Sequence, residues 1–169
     1  IVGGHLGKSG IPVEWLDGLW EWPRTVSWME RLAEQLHQTM VTAQCAWDLQ
    51  GYSGGRFALG IGTQIKGHNE RRYATPWPSA PGPRMREYVL CVRAMLRSFQ
   101  DPGSPEYFEG EHYRFTMIPP FFNPGPIAHP DIPIHVAAVN PYMARMAGEI
   151  CDGLRLHPVA TFAYTRDVL

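Results

Sequence analysis

Ser53-Gly54-Gly55-Arg56-Phe57-Ala58-Leu59-Gly60-Ile61-Gly62-Thr63-Gln64 is followed directly by the polar run Ile65-Lys66-Gly67-His68-Asn69-Glu70-Arg71-Arg72-Tyr73. A Ser-Gly-Gly turn leads into a short apolar run, which closes on glycine and releases a burst of donors and charges. A strand of a parallel barrel delivers a site in this way, at its C-terminal end. The pattern predicts a strand over residues 56–62 and places function just beyond Gly62.

The flanking segments supply the partners such a strand needs. Before it, Ser27 and Glu30 have capping-box spacing ahead of an apolar stripe, which predicts a helix over residues 27–37, and a second helix spans residues 40–49. After it, Met85, Val89, Val92, Leu96 and Phe99 step by four and three residues, with Arg86, Arg93 and Arg97 largely off the stripe, as in a surface helix with one buried face. Residues 101–133 carry eight prolines, which excludes a long regular element and reads as a functional loop or lid, with Phe108, Tyr113 and Phe115 anchoring a short hairpin. Ile132-Pro133-Ile134-His135-Val136-Ala137-Ala138 is a second apolar strand. Asn140 is a natural N-cap and Pro141 a natural first helical residue, so a helix starts there and stops at Asp152-Gly153. A third strand covers residues 154–159. The order strand, helix, long loop, strand, helix, strand is α/β with parallel strands.

Composition narrows the function classes. The 169 residues hold 15 Lys plus Arg against 16 Asp plus Glu, a formal net charge of −1, so no electrostatic excess draws the chain to nucleic acid or anionic lipid. No run reaches the roughly 18–20 apolar residues of a membrane span, and the N-terminus lacks signal-peptide order; the expected location is cytoplasmic. Cys45, Cys91 and Cys151 sit in apolar periodic segments and read as reduced thiols. The seven histidines include no pair at the helical zinc-motif spacing, so no metal is expected. Trp47, Trp77, Phe121 and Phe122 fit either an apolar substrate pocket or ordinary core packing.

Three ordered motifs carry a family likeness. The run from Ser53 to Gly62, the Phe108-Glu109-Gly110-Glu111-His112-Tyr113 spacing, and Ile132-Pro133-Ile134 through Ala147-Gly148-Glu149 to Cys151-Asp152-Gly153 resemble the luciferase-like monooxygenase superfamily. Within it, the likeness is greatest to the deazaflavin-dependent oxidoreductases. It covers residues 39–169, whereas residues 1–38, rich in Gly and Trp, do not match and read as an atypical N-terminal segment. The resemblance implies a (β/α)8 TIM-type barrel of which this chain supplies a part: about three parallel strands, matching the fourth to sixth, with helices and a long Pro/Gly-rich loop. A complete barrel takes about 250 residues.

The implied chemistry is hydride transfer between a reduced deazaflavin, coenzyme F-420, and a small organic substrate, with an FMN-dependent monooxygenase as the alternative. By matching motif positions, Thr63, Gln64 and Asn69 lie where the loop after the strand meets the cofactor ring and substrate. Gln64, His68 and Asn69 are the residues expected to touch the chemistry: the amides bond ring carbonyls and nitrogens, and His68 or Glu70 donates a proton. Lys66 is placed to balance negative charge on the reduced ring. Ala137, Ala138, Val139 and Asn140 match the backbone turn that holds the ribityl-phosphate arm, since free N–H groups and the helix start favour an anion there. Many deazaflavin relatives carry glycine where Val139 and Asn140 stand, so close approach of backbone to cofactor is reduced. His157 and Thr161 match positions near the phosphate or ring edge. The competing readings are a solvated loop for Lys66, His68 and Glu70, and a plain capped turn for Val139 and Asn140. The resemblance also admits a homodimer. A third reading, from a different class, is a non-catalytic remnant or interaction fragment that keeps the fold signature without binding cofactor.

Overall fold

The computed structural model describes residues 25–26, 39–158 and 160–167. The helix expected over residues 27–37 lies outside them. The described elements are β1 (Thr25–Val26), α1 (Thr39–Tyr52), β2 (Ala58–Ile61), α2 (Lys66–Arg72), α3 (Pro81–Gln100), β3 (Phe108–Glu109), β4 (Arg114–Phe115), β5 (Ile134–Ala137), α4 (Pro141–Ile150), β6 (Gly153–Arg155) and α5 (Phe162–Asp167).

One sheet of order β1-β2-β5-β6 is parallel throughout, with Leu59 opposite Ile134 and Val136 opposite Leu154. Because side chains alternate along a strand, Leu59, Ile61, Ile134 and Val136 share one face, and each is at most 2% exposed beneath the helices. Helices α1 and α3 pack on each other above that face, where Trp47 meets Phe99 edge-on with ring centroids 5.6 Å apart. A parallel sheet with its helices on one face is an arc of a (β/α)8 barrel. The three expected strands are present, the third shorter than the expected 154–159 and confined to Gly153–Arg155, and β1 adds a two-residue fourth along the edge of β2.

The Ser-Gly-Gly turn follows from how α1 ends. Gly55 N–H reaches back to the Gln50 carbonyl and Gly54 N–H to that of Gly51, a Schellman-type termination that needs left-handed backbone. Gly54 and Gly55 provide it at φ 61° and 86°, and a Cβ on Gly55 would lie 2.7 Å from the His129 ring. Gln50, itself buried, then receives the Phe57 N–H on its side-chain oxygen and so seats the start of β2.

Two expectations change. The polar run after β2 is the short helix α2 rather than a loop: Lys66 and Glu70 face each other one turn apart, and only Asn69 is buried. Residues 101–133 are fastened to the helical layer rather than free to act as a lid. They form the β3–β4 hairpin over α3, and the segment beyond it is held by Trp47 Nε1 donating to the Gly125 carbonyl and Asn123 Nδ2 to that of Ser98. Cys45 and Cys91 are buried, and among the described residues none of the three cysteines forms a disulfide. No helix among the described residues is long and apolar enough to cross a membrane.

Candidate functional site

The C-terminal ends of β2 and β5 lie side by side, and their loops open on a cleft of about 460 Å³. Thr63, Gln64, Ile65 and Lys66 form one wall, and Val139, Asn140, Tyr142 and Met143 form the other. Trp77 and the Pro81-Gly82-Pro83 start of α3 complete the cleft.

The first wall is held in an uncommon backbone shape. Gln64 has φ 58°, left-handed backbone that a side chain disfavours and that clusters at functional sites. The turn is braced from below, where Asn69 Nδ2 donates to the Thr63 carbonyl at 3.1 Å. Asn69 is only 6% exposed, and its Oδ1 is buried without a hydrogen-bond partner. A buried amide oxygen left unpaired carries a desolvation penalty of roughly 1–3 kcal/mol.

The second wall is a helix entrance. Asn140 caps α4, its Oδ1 accepting the Met143 N–H at 2.9 Å, and Pro141 occupies the first helical position. The Ala138 N–H is committed to the Arg155 carbonyl, which stitches β5 to the end of β6. Val139 is 59% exposed and lines the cleft.

The sequence-predicted residues divide between these walls and the surroundings. Thr63, Gln64, Lys66, Val139 and Asn140 meet around the cleft, and Asn69 supports it from beneath. Ala137 and Ala138 are the last residues before the second wall, with Ala138 buried. Lys66 is exposed, its Nζ 3.9 Å from a Glu70 carboxylate oxygen, a pairing that adds little stability. His68 is exposed on α2 and does not line the cleft. His157 is exposed beyond β6, outside the lining. Thr161 stands just ahead of α5, its Oγ1 accepting the Tyr164 N–H at 3.1 Å, and is outside the lining.

Among the four aromatic candidates, Trp47 belongs to the core, Trp77 lines the cleft, and Phe121 and Phe122 are exposed at 89% and 57%. Tyr142 and Gly82 were not singled out by the sequence. A Cβ on Gly82 would lie 2.4 Å from the Tyr142 ring, so the glycine makes the seat on which that ring rests. The Pro-Gly-Pro run just ahead of an apolar stripe was the available signal.

The luciferase-like monooxygenase family pattern matches residues 35–169. An uncharacterized protein of Mycobacterium tuberculosis is 43% identical over 129 residues, which is 76% of this chain and 37% of that protein. The 5,10-methylenetetrahydromethanopterin reductase of Archaeoglobus fulgidus is 33% identical over 69% of this chain and 32% of its own length. An F420-dependent glucose-6-phosphate dehydrogenase of Nakamurella multipartita is 32% identical over 67% of this chain and 31% of its own. The chain thus spans about a third of the length of the curated relatives it matches. In fold, it superimposes on an F420-dependent secondary alcohol dehydrogenase solved with an F420-acetone adduct, with a TM-score of 0.61 at 20% identity, covering 78% of this chain and 37% of that one. With the family pattern covering more than half the chain and the parallel arc matching the same architecture, this chain belongs to the luciferase-like monooxygenase family.

Proposed function

We propose that the cleft between the β2 and β5 loops is part of a deazaflavin site, at which hydride passes between coenzyme F-420 and a small organic substrate. The observation that carries this reading is the convergence of Thr63, Gln64 and Lys66 with Val139 and Asn140 at the C-terminal ends of adjacent parallel strands. Ligands of such barrels bind at that end. The names of two relatives and of the fold neighbour point to the same cofactor for those proteins.

The residues present suit the group. Thr63, Gln64 and Lys66 on one wall bring hydroxyl, amide and ammonium groups to the cleft, a donor set suited to the carbonyl-bearing pyrimidine edge of a deazaflavin. The entrance of α4 presents backbone N–H groups and the positive end of the helix dipole to an anionic arm. A reduced deazaflavin supplies the hydride from C5, and the protein's part is binding, orientation and exclusion of water. Gln64 is fixed by its strained turn and bonds the ring edge, while Asn69 keeps that turn in place. Lys66 adds a positive charge at the rim, weakened by solvent and by Glu70. Trp77, Ile65 and Tyr142 give the cleft apolar surface against which the ring would lie.

Titrating the purified chain with coenzyme F-420 and following deazaflavin fluorescence tests this. Saturable binding at micromolar concentrations is expected. Absence of binding below roughly millimolar, a free energy of about −4 kcal/mol, rejects a cofactor site in this chain.

A further inference from the structure

Beyond the cleft walls, one side chain reaches the cleft turn from a separate element. Tyr164, on α5, donates its hydroxyl to the Val139 carbonyl at 2.8 Å. The contact joins residues 25 positions apart in sequence. It is held from its own side too, since Thr161 Oγ1 takes the Tyr164 N–H and the Thr161 carbonyl takes the Thr165 hydroxyl at 3.0 Å. Thr161 thereby helps to seat Tyr164.

The consequence is set by peptide geometry. The Val139 carbonyl and the Asn140 N–H belong to one peptide plane, and the described chain contains no cis bonds. In a trans peptide these two groups point in opposite directions. Fixing the carbonyl on Tyr164 therefore fixes the Asn140 N–H facing away from α5, and no described residue accepts it. The Asn140 side chain is already committed to capping Met143, so it cannot turn back to satisfy its own N–H and cap the helix at once.

We propose that Tyr164 is a positioning residue for the turn after β5: it locks the Val139–Asn140 peptide so that the Asn140 N–H meets the phosphate of the cofactor's arm. The inference rests on the deazaflavin site proposed above and assigns its anion-binding turn a residue outside the turn. Tyr164 touches neither ring nor substrate; it acts through the peptide it holds. Without the hydroxyl the peptide is free to rotate, and the N–H is presented to the anion only part of the time.

The test uses the full chain, Tyr164→Phe beside the unsubstituted protein, and two fluorescent ligands: coenzyme F-420 and its phosphate-free deazariboflavin core. Tyr164→Phe is expected to raise the Kd for coenzyme F-420 by roughly three- to tenfold, the range of one modest hydrogen bond, and to leave the Kd for the core unchanged. Thermal unfolding of the two proteins is expected to coincide, because the lost bond lies at the surface. Equal Kd values for coenzyme F-420 in both proteins overturn the inference. Equal weakening toward both ligands also overturns it, since that marks a general structural loss. If the unsubstituted chain binds both ligands equally well, the anion role is lost while the cofactor site stands. If it binds neither, the proposed function fails and takes this inference with it.

Discussion

The long segment wrapped over α3 and the cleft at the strand ends are built from the same kinds of polar residue, used to opposite effect. In the wrap they are consumed. The Glu87 carboxylate accepts three successive backbone N–H groups, from Glu111, His112 and Tyr113, at 3.0, 2.7 and 3.2 Å. Ser98 both donates to the Glu106 carbonyl and accepts its N–H, and Gln100 accepts the Ile127 N–H. A chain so rich in proline lacks the donors for a ladder of its own, so side chains of α3 do the fastening. At the cleft the balance is reversed: Asn69 keeps a buried acceptor unpaired, Gln64 is held in left-handed backbone, and Lys66 has only a distant partner at the surface. Satisfied groups fasten the wrap, whereas strained or loosely paired ones border the cleft.

The largest expected effect is on the wrap side. Glu87→Ala removes the acceptor of three N–H groups and is expected to lower stability by about 2 kcal/mol, discounted for the half-exposed position, as read by urea unfolding. Affinity for coenzyme F-420 should not change. The same carboxylate carries a pH signature. Burial acts to raise its pKa, but the three backbone N–H groups, led by His112, together with the nearby His112 charge, outweigh that and hold it below the ordinary 4.5. A depressed folded pKa means the contribution is complete above the unfolded value and is lost as pH falls from about 4.5 through the folded value. The amide resonances of Glu111, His112 and Tyr113 should titrate together in that acid window and stay constant at neutral pH.

How far each region was legible from sequence follows from the same contrast. The periodic segments were readable: the stripe from Met85 to Phe99 became α3, Asn140-Pro141 opened α4 as a cap and first turn should, and the Ser-Gly-Gly turn ended α1. Each of these is a local rule, satisfied by residues within a turn or two. Helix α2 escaped because Lys66-Gly67-His68-Asn69-Glu70-Arg71-Arg72 has no apolar stripe; its single buried residue, Asn69, is inside for its amide. The wrap read as a lid because Glu87 and Ser98 lie on α3, too far along the chain for any local pattern to join them to residues 106–113. At the cleft, the strand-end residues were legible as donors after an apolar run. Their sorting into wall and bystander was not, since that depends on α2 turning His68 toward solvent and Asn69 inward. Tyr164 was invisible for the same reason, as its partner Val139 is 25 residues away.

Asn69→Leu sharpens the contrast with a smaller effect of opposite kind. The substitution removes the bond to the Thr63 carbonyl, but it also removes the unpaired buried oxygen, so the two stability terms nearly cancel and the net change should stay within about 1 kcal/mol. Binding should suffer more than stability does: the Gln64 turn loses its brace on the Thr63 carbonyl, which is expected to raise the Kd for coenzyme F-420 roughly three- to tenfold. The decisive measurement is the pair, unfolding midpoint and Kd, on one preparation. A variant that binds normally and unfolds early would place Asn69 with the scaffold residues and erase the distinction between the two regions.

Val139→Gly is the smallest expected effect, and its sign is what matters. Val139 is 59% exposed at the cleft, so trimming its side chain costs little burial and relieves bulk where the cofactor arm would approach the backbone. Against that, glycine frees the turn, and an entropic cost of about 0.5–1 kcal/mol opposes binding. The Tyr164 hydrogen bond to the Val139 carbonyl does not depend on the side chain and continues to restrain the peptide, so the loosening is contained and steric relief should prevail. Tighter binding of coenzyme F-420 is therefore expected in Val139→Gly, by fluorescence titration, and the gain should vanish when Tyr164→Phe is added. Weaker binding in the single variant would mean that rigidity of this turn, rather than room at it, limits the approach of the anion.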